Sequence, residues 1–545
     1  MKHLSGLDAT FLHFETPEMP MHVGALTVLD LPKGYRGEFY EDAKAHMASR
    51  LHLAEVFTRK LALMPFDLSN PVWVEDEDID LEYHVRHVTL SKPGSNRQLQ
   101  QYVGRLHSML LDRSRPLWEV YIIEGLKGGQ IALYLKLHHA GIDGQAGVEL
   151  GKAIFDDVPS GRAIQAPRPR QVGKRYQLGM AELASAAVRN TAAQYVKLAK
   201  MAPALARAIA GLARPVEREV SKTEKSSVRR FKMFAPRTSL NVQITNQRNW
   251  AGRTIPLAEA KRIAKHFGVS LNDVVMATVS GALRRYLVAN NELPDQPLVA
   301  GVPVSLREAG DNTANNQVSM ILVALASDTA DPVQRLRQIN AASSSAKTTM
   351  NRFRTVAMDD FPMFGAPWVL SGLASMLGRS GLANLLPPSV NLVISNVAGS
   401  PTPLYFAGAL LTCYYPVSIP SHGMALNATV QSYNGRMDYG LIACRRAVPD
   451  LNEIGDHLLD EHRMMLALTS SQPDLAATNT AKGTEPQPKP SARRPRAAAP
   501  QPAAAPAALG APTLARVATS ARTVAAGRKA DAATPAKRKP ASSRA

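Results

Sequence analysis

Residues 116–144, PLWEVYIIEGLKGGQIALYLKLHHAGIDG, constrain this chain more tightly than any other stretch. From Pro116-Leu117-Trp118 to Ile123 the composition is aromatic and β-branched, which predicts a strand. Lys127-Gly128-Gly129 turns the chain, and Ile131 to Leu137 predicts a second strand. Together they predict a hairpin whose return strand delivers His138 and His139 at its end. With Asp143 and Gly144 these histidines spell HHxxxDG. A match of that kind arises by chance in about one such chain in a thousand.

The surroundings alternate between helix and strand, an α/β pattern. Leu99, Val103, Leu106 and Leu110 step by 4, 3 and 4, which predicts one helix face. A second folded half runs from about Pro236 to Leu468. There Ser270-Leu271-Asn272-Asp273 reads as a capping box, opening a helix with Val275, Val279, Ala282 and Tyr286 along one side. Strands are expected over 298–304, 320–326, 390–395 and 424–431. The apolar stretch 361–388, with Met363, Phe364, Trp368 and Leu373, reads as core or as a lip for lipid.

Between the halves, residues 155–230 are rich in Ala and basic residues. Leu198, Leu205 and Leu212 fall seven apart, as do Lys200, Arg207 and Arg214, and Pro203 would kink such a helix. It reads as a basic helix on a membrane surface or as a connector packing its Leu stripe on the body. From Ser471 onward the chain has no aromatic residue and carries 13 Lys+Arg against 3 Asp+Glu, so it is expected to be a disordered tail. The expected organisation is 1–160, a linker at 161–235, 236–468, and the tail at 469–545.

The net charge of +19 admits an anionic membrane surface or nucleic acid as partner. Nucleic acid would rest on the tail alone, without interleaved aromatic residues, and is not expected. The two cysteines, Cys413 and Cys444, form no disulfide framework and suit a reducing cytosol. No secretory leader pattern opens the chain, and no apolar run approaches the length of a membrane span.

Histidine is the natural general base near neutral pH, and a strand end fixes its ring while its tip faces a cleft. Asp143 could orient His139 or brace the loop by pairing with an arginine; the tightness of the turn favours the brace. Gly144 would let the backbone turn. No GxSxG elbow, nucleophilic cysteine motif, metal-ligand spacing, GxGxxG or P-loop is present. A lone base without nucleophile, metal or redox cofactor fits direct group transfer between two bound substrates.

HHxxxDG resembles the signature of the bacterial wax ester synthase/acyl-CoA:diacylglycerol acyltransferase family, within the chloramphenicol acetyltransferase-like CoA-dependent acyltransferases. The resemblance spans roughly residues 1–465 and includes the opening LSGLDATFLHFETPEMPMHVGAL. Pro116-Leu117-Trp118 matches its PLW element, Asn272-Asp273 its ND element, and Val302 to Arg307 its PVSxR segment. Asn396-Val397-Ala398-Gly399 resembles NVPGP, with Ala398 and Ser400 in place of the prolines. The resemblance implies two chloramphenicol acetyltransferase-like domains of mixed sheets and helices, with an active-site tunnel at their interface and a crossover between them. It implies His139 as general base, His138 supporting the loop, and Asp143 as structural, with Arg307 as its expected partner. Asn272 becomes a candidate donor near the reacting centre, and Pro116 to Trp118 are either packing or substrate contacts.

The implied reaction moves a fatty acyl group from acyl-CoA to a long-chain alcohol or diacylglycerol, with no cofactor. Such lipid-borne substrates imply a cytoplasmic enzyme peripheral to an anionic membrane or lipid inclusions. Two alternatives stand beside it: a condensation-type acyltransferase with another acceptor, and a non-enzymatic coat protein of lipid inclusions.

Overall fold

The structure, a computed structural model, describes residues 2–4, 6–62, 71–142, 144–166, 234–305, 318–353 and 387–471. Strands β6 (Trp118–Glu124) and β7 (Ile131–His138) form the expected antiparallel hairpin, with Trp118 opposite Leu137. Both strands are buried on both faces. Ile131, Leu133, Leu135 and Leu137 enter one core with Trp118, Val120 and Ile122. Ala132 and Tyr134 face the other, with Tyr121, Ile123 and the helix Asn96–His107. Alternation along a strand thus gives β7 two cores to serve.

The hairpin lies within a six-stranded mixed sheet. Its order is β12 (Tyr405–Phe406), β13 (Ala409–Val417), β2 (His22–Asp30), β7, β6, β5 (Val85–Thr89). Lys136 lies on the Tyr134 face with no exposed surface, 2.6 Å from Glu119. Its amine also donates to the carbonyls of Leu106 (3.4 Å) and Met109 (3.1 Å). His22 Nε2 meets the His107 carbonyl at 2.5 Å. Carbonyls at the end of the helix Asn96–His107 are therefore satisfied partly by groups of the sheet. The helix stops at His107, and Leu110, expected on its apolar face, is instead 43% exposed.

A second six-stranded sheet has the order β10 (Val318–Ala324), β9 (Val299–Ser305), β11 (Leu392–Val397), β14 (Leu426–Tyr433), β15 (Arg436–Cys444), β8 (Arg248–Pro256). The helices Leu257–Phe267, Leu271–Ala289, Pro332–Phe353 and Leu451–Ser471 pack with it around one large core. The four strands expected in this half are present within two residues of their expected bounds. The capping box at Ser270 and Asp273 is formed in both directions. A small sheet of β1 (Lys2–His3), β4 (Val72–Glu75) and β3 (Arg59–Ala62) lies apart from these.

Strand β13 ties the two halves together. It follows β11 in the chain, yet it pairs antiparallel with β2, from Leu410 opposite Asp30 to Val417 opposite Gly24. It also lies across β15: the Tyr414 N–H donates to Asp438 at 2.7 Å, and a Cβ on Gly440 would come within 1.7 Å of the Pro416 carbonyl oxygen. The chain is thus a mixed α/β protein with two sheet-rich parts, as expected. The tail, the Leu198–Leu212 stripe, residues 361–386, Asp143 and Arg307 lie outside the described residues.

Because backbone meets backbone at Gly440, Gly440→Ala should destabilise the fold by about 2–3 kcal/mol through overpacking. Urea unfolding of both proteins checks this, with the loss appearing in the midpoint rather than the slope.

Candidate active site

Strand β7 ends at His138, and the chain tightens into one turn over His139–Gly141. His138 stays within the sheet, fully buried, with its backbone N–H on the Leu117 carbonyl (3.0 Å). Its Nδ1 accepts the Ala140 N–H at 3.1 Å, so the ring proton belongs on Nε2. That Nε2 lies 3.2 Å from Glu15 Oε2, close enough for pairing though oblique to a well-aligned hydrogen bond.

His139 begins the turn and is half-buried. Its backbone N–H donates to the Met21 carbonyl at 2.9 Å. Its ring stacks on Phe11, centroids 4.0 Å apart and planes 16° from parallel. Nδ1 is buried without a hydrogen-bond partner. Burial pushes the imidazole down to about 4; its own carbonyl opposes the shift and His138 adds to it. His139 is therefore neutral at ordinary pH, as a proton acceptor must be.

Glu15 connects these pieces. Oε2 accepts the Met21 N–H at 3.0 Å as well as facing His138. Oε1 accepts from Arg113 Nη2 (2.8 Å) and Nε (3.2 Å), and Arg113 Nη2 also reaches the Leu12 carbonyl. Burial alone would raise this carboxyl, but His138, Arg113 and the Met21 N–H outweigh it and hold it at about 2. Sequence reasoning singled out none of Phe11, Glu15, Met21 and Arg113. The available signal was spacing: Phe11 and Glu15 stand one helical turn apart at the end of helix α1 (Gly6–Phe14).

The other expected residues divide. Pro116, Leu117 and Trp118 are buried, and their contacts are packing contacts. Leu117 shares a cluster with Leu4, Leu12 and Ala140 beneath the turn. Trp118 donates its indole N–H to the Phe57 carbonyl (3.1 Å) and stacks on His84. Asp273 is fully engaged, accepting from Ser270, Asn340 and Ser343. Asn272 is half-buried in the first turn of its helix, and among the described residues no hydrogen bond links it to His138 or His139. Asn396 is exposed near the end of β11. Close behind it, Gly399 lies where a Cβ would meet the Ser432 carbonyl at 2.1 Å. Gly144 opens the helix Gly144–Ile154. Among the described residues, no cluster of His, Cys, Asp and Glu could hold a metal.

An apolar cluster adjoins the turn and draws on both halves. Met19, Met21, Phe11 and Phe14 pack with Ile244, Ile419 and Ala425. A neutral, sheet-mounted histidine thus lies beside an apolar junction of two mixed sheets, an arrangement that suits acyl transfer. Comparison with known proteins agrees. Residues 4–275 match the wax ester synthase/diacylglycerol acyltransferase catalytic domain, and residues 314–465 match the C-terminal domain of the same family. The chain is 35% identical over 484 residues to the O-acyltransferase WSD of Acinetobacter baylyi, covering 88% of this chain and 100% of that one. It is 37% identical over 465 residues to a Mycobacterium tuberculosis protein named provisionally as a diacylglycerol O-acyltransferase, covering 84% and 97%. The solved wax ester synthase/diacylglycerol acyltransferase of Marinobacter aquaeolei superposes with a TM-score of 0.62 at 30% identity, over 86% of this chain and 100% of that one. A starter condensation domain of a rhizomide synthetase shares the fold alone, with a TM-score of 0.50 at 15% identity over 87% and 96%. The chain belongs to the wax ester synthase/diacylglycerol acyltransferase family and is an acyltransferase.

The depressed His139 value fixes the sign of a pH effect. The base form persists as pH falls through 6.5 and is lost only towards about 4. With His139 as the base, short-time measurements of kcat/KM should therefore stay level from pH 8 to below 6, with the acid limb well under an ordinary histidine.

Proposed function

We propose that this chain transfers a fatty acyl group from acyl-CoA to the hydroxyl of a long-chain alcohol or a diacylglycerol, with His139 as general base. The imidazole takes the hydroxyl proton while the oxygen attacks the thioester carbonyl carbon. The tetrahedral intermediate collapses, the C–S bond breaks, and the leaving thiolate takes the proton from His139. The products are an ester and free CoA. The observation that carries this reading is the setting of His139: neutral, with one ring face held by Phe11 and Nδ1 buried, leaving Nε2 for the substrate. The apolar cluster shared by the two halves suits a tunnel for the acyl chain. Gly144, Asn272, Asn396 and the pair Asp143–Arg307 keep supporting roles in this reading, and His138 acts behind His139.

Free CoA release from palmitoyl-CoA with hexadecanol, or with dioleoylglycerol, tests the assignment. Release should require an acceptor and fall by about 10²–10⁴-fold in His139→Ala. Undiminished release in that variant would remove His139 from the role, and the two acceptors would rank the preference.

The lipid character of these substrates points to work at a surface. No helix among the described residues is long and apolar enough to cross a membrane. The charge of +19 suits peripheral binding to an anionic membrane on its cytoplasmic face, or to lipid inclusions, at about 1 kcal/mol per well-placed basic residue. Met320 and Leu322, 50% and 37% exposed on edge strand β10, offer apolar contacts. Co-sedimentation should therefore favour phosphatidylglycerol vesicles over phosphatidylcholine ones and weaken with salt. Equal binding to both lipids would exclude the electrostatic contribution.

A further inference from the structure

We propose that Glu15 is a positioning residue for the acyl transfer: its carboxylate pins both histidines of the HH pair at once. The proposal rests on His139 being the base and adds what keeps that base in place. Oε2 faces His138 Nε2 at 3.2 Å and accepts the Met21 N–H at 3.0 Å. The carbonyl of that same Met21 receives the His139 backbone N–H at 2.9 Å. One oxygen thus reaches the His138 ring directly and the His139 backbone through a single residue.

The rest of the carboxylate is committed to holding that oxygen still. Arg113 grips Oε1 through two nitrogens and ties the assembly to the Leu12 carbonyl of α1. The Glu15 side chain is 3% exposed, so its partners and not solvent decide its orientation. His138 in turn accepts the Ala140 N–H, which fixes the turn on the far side of His139. His139 is therefore bracketed: Met21 holds its backbone N–H, and the His138 ring holds the peptide that follows it. Phe11, one turn before Glu15, closes a ring face. The segment 11–15 is accordingly part of the active centre, although it lies more than a hundred residues away along the chain.

A group acting through orientation should change turnover more than substrate binding. Displacing a catalytic group by about 1 Å costs on the order of 10²-fold in rate. Glu15→Ala should lower kcat by about that factor and leave KM for palmitoyl-CoA within about twofold. Glu15→Gln preserves shape and one oxygen acceptor, and should recover a substantial part of the loss. In ¹⁵N-histidine spectra, the His138 signals should show the proton on Nε2 in the wild type, and the Nε2 signal should shift in Glu15→Ala as its carboxylate partner is lost while the Ala140 N–H still holds Nδ1. A merely structural role would move neither the His138 Nε2 signal nor the ratio of kcat to KM.

Wild-type kcat in a folded Glu15→Ala protein would overturn the proposal. So would a loss confined to KM. If Glu15→Ala does not fold, Glu15→Gln decides alone: an unchanged His138 Nε2 signal with kcat lost would overturn it, and retained kcat with that signal kept would support it. The base assignment fails separately. Activity surviving His139→Ala would sink that reading, whereas His139→Ala inactive with Glu15→Ala fully active would sink only this one.

Discussion

The backbone ladder between β2 and β13 is the interaction on which the molecule depends. β2 sits between β13 and β7, and β7 carries the histidines at its end. Without β13, β2 would present a row of unpaired N–H and C=O groups. With it, β2 is held on both sides and offers the Met21 region as a fixed neighbour to the His139 turn. Contacts across the sheets reinforce the join. Tyr415 meets Thr254 through their hydroxyls at 2.8 Å, and Arg248 donates to the Glu18 carbonyl at 2.7 Å. His107 reaches the Ser418 carbonyl at 2.8 Å. The apolar cluster beside His139 exists only because these joins bring the halves together.

Buried charge does a second job in this architecture. Lys136 and Glu119 lie beneath the sheet, and Arg86 and Tyr121 complete the partners of Glu119. Such groups are costly to bury and are tolerated because each finds partners. Lys136 also donates to carbonyls at the end of the helix Asn96–His107, so one side chain ends a helix and neutralises an acid. Glu15 solves the same problem two residues further along the face of β7, at His138. The polar column continues the Tyr134 face of the strand, while the opposite face stays apolar.

Local features were legible in the sequence. The hairpin, the strand ending in His138 and the Ser270–Asp273 capping box each depend on neighbours a few residues away, and each is present. Strand β13 was not legible, because its pairing partner lies far off in the chain and nothing in ALLTCYYPV announces it. Glu15 was missed for the same reason: its meaning comes from Arg113 and His138, which only the fold delivers. The overextended helix at Leu110 erred differently. Its periodicity was apolar and correct, but Lys136 and His22 had already taken carbonyls at the helix end. The PLW and ND elements carried a family resemblance, and the structure gives Trp118 and Asp273 packing and capping contacts.

The crossover also sets an order in time. β2 is synthesised roughly 380 residues before the strand that covers its edge. At ribosomal speeds that interval is on the order of tens of seconds. Throughout it, the nascent first half carries a long open edge without its natural occupant. A growing chain of this design is vulnerable to pairing with its neighbours on the same message, and β2 acquires its second partner only once β13 has been made. Spacing the nascent chains by slower initiation, or covering the edge with a bound chaperone, should matter more for its yield than any change to the completed core.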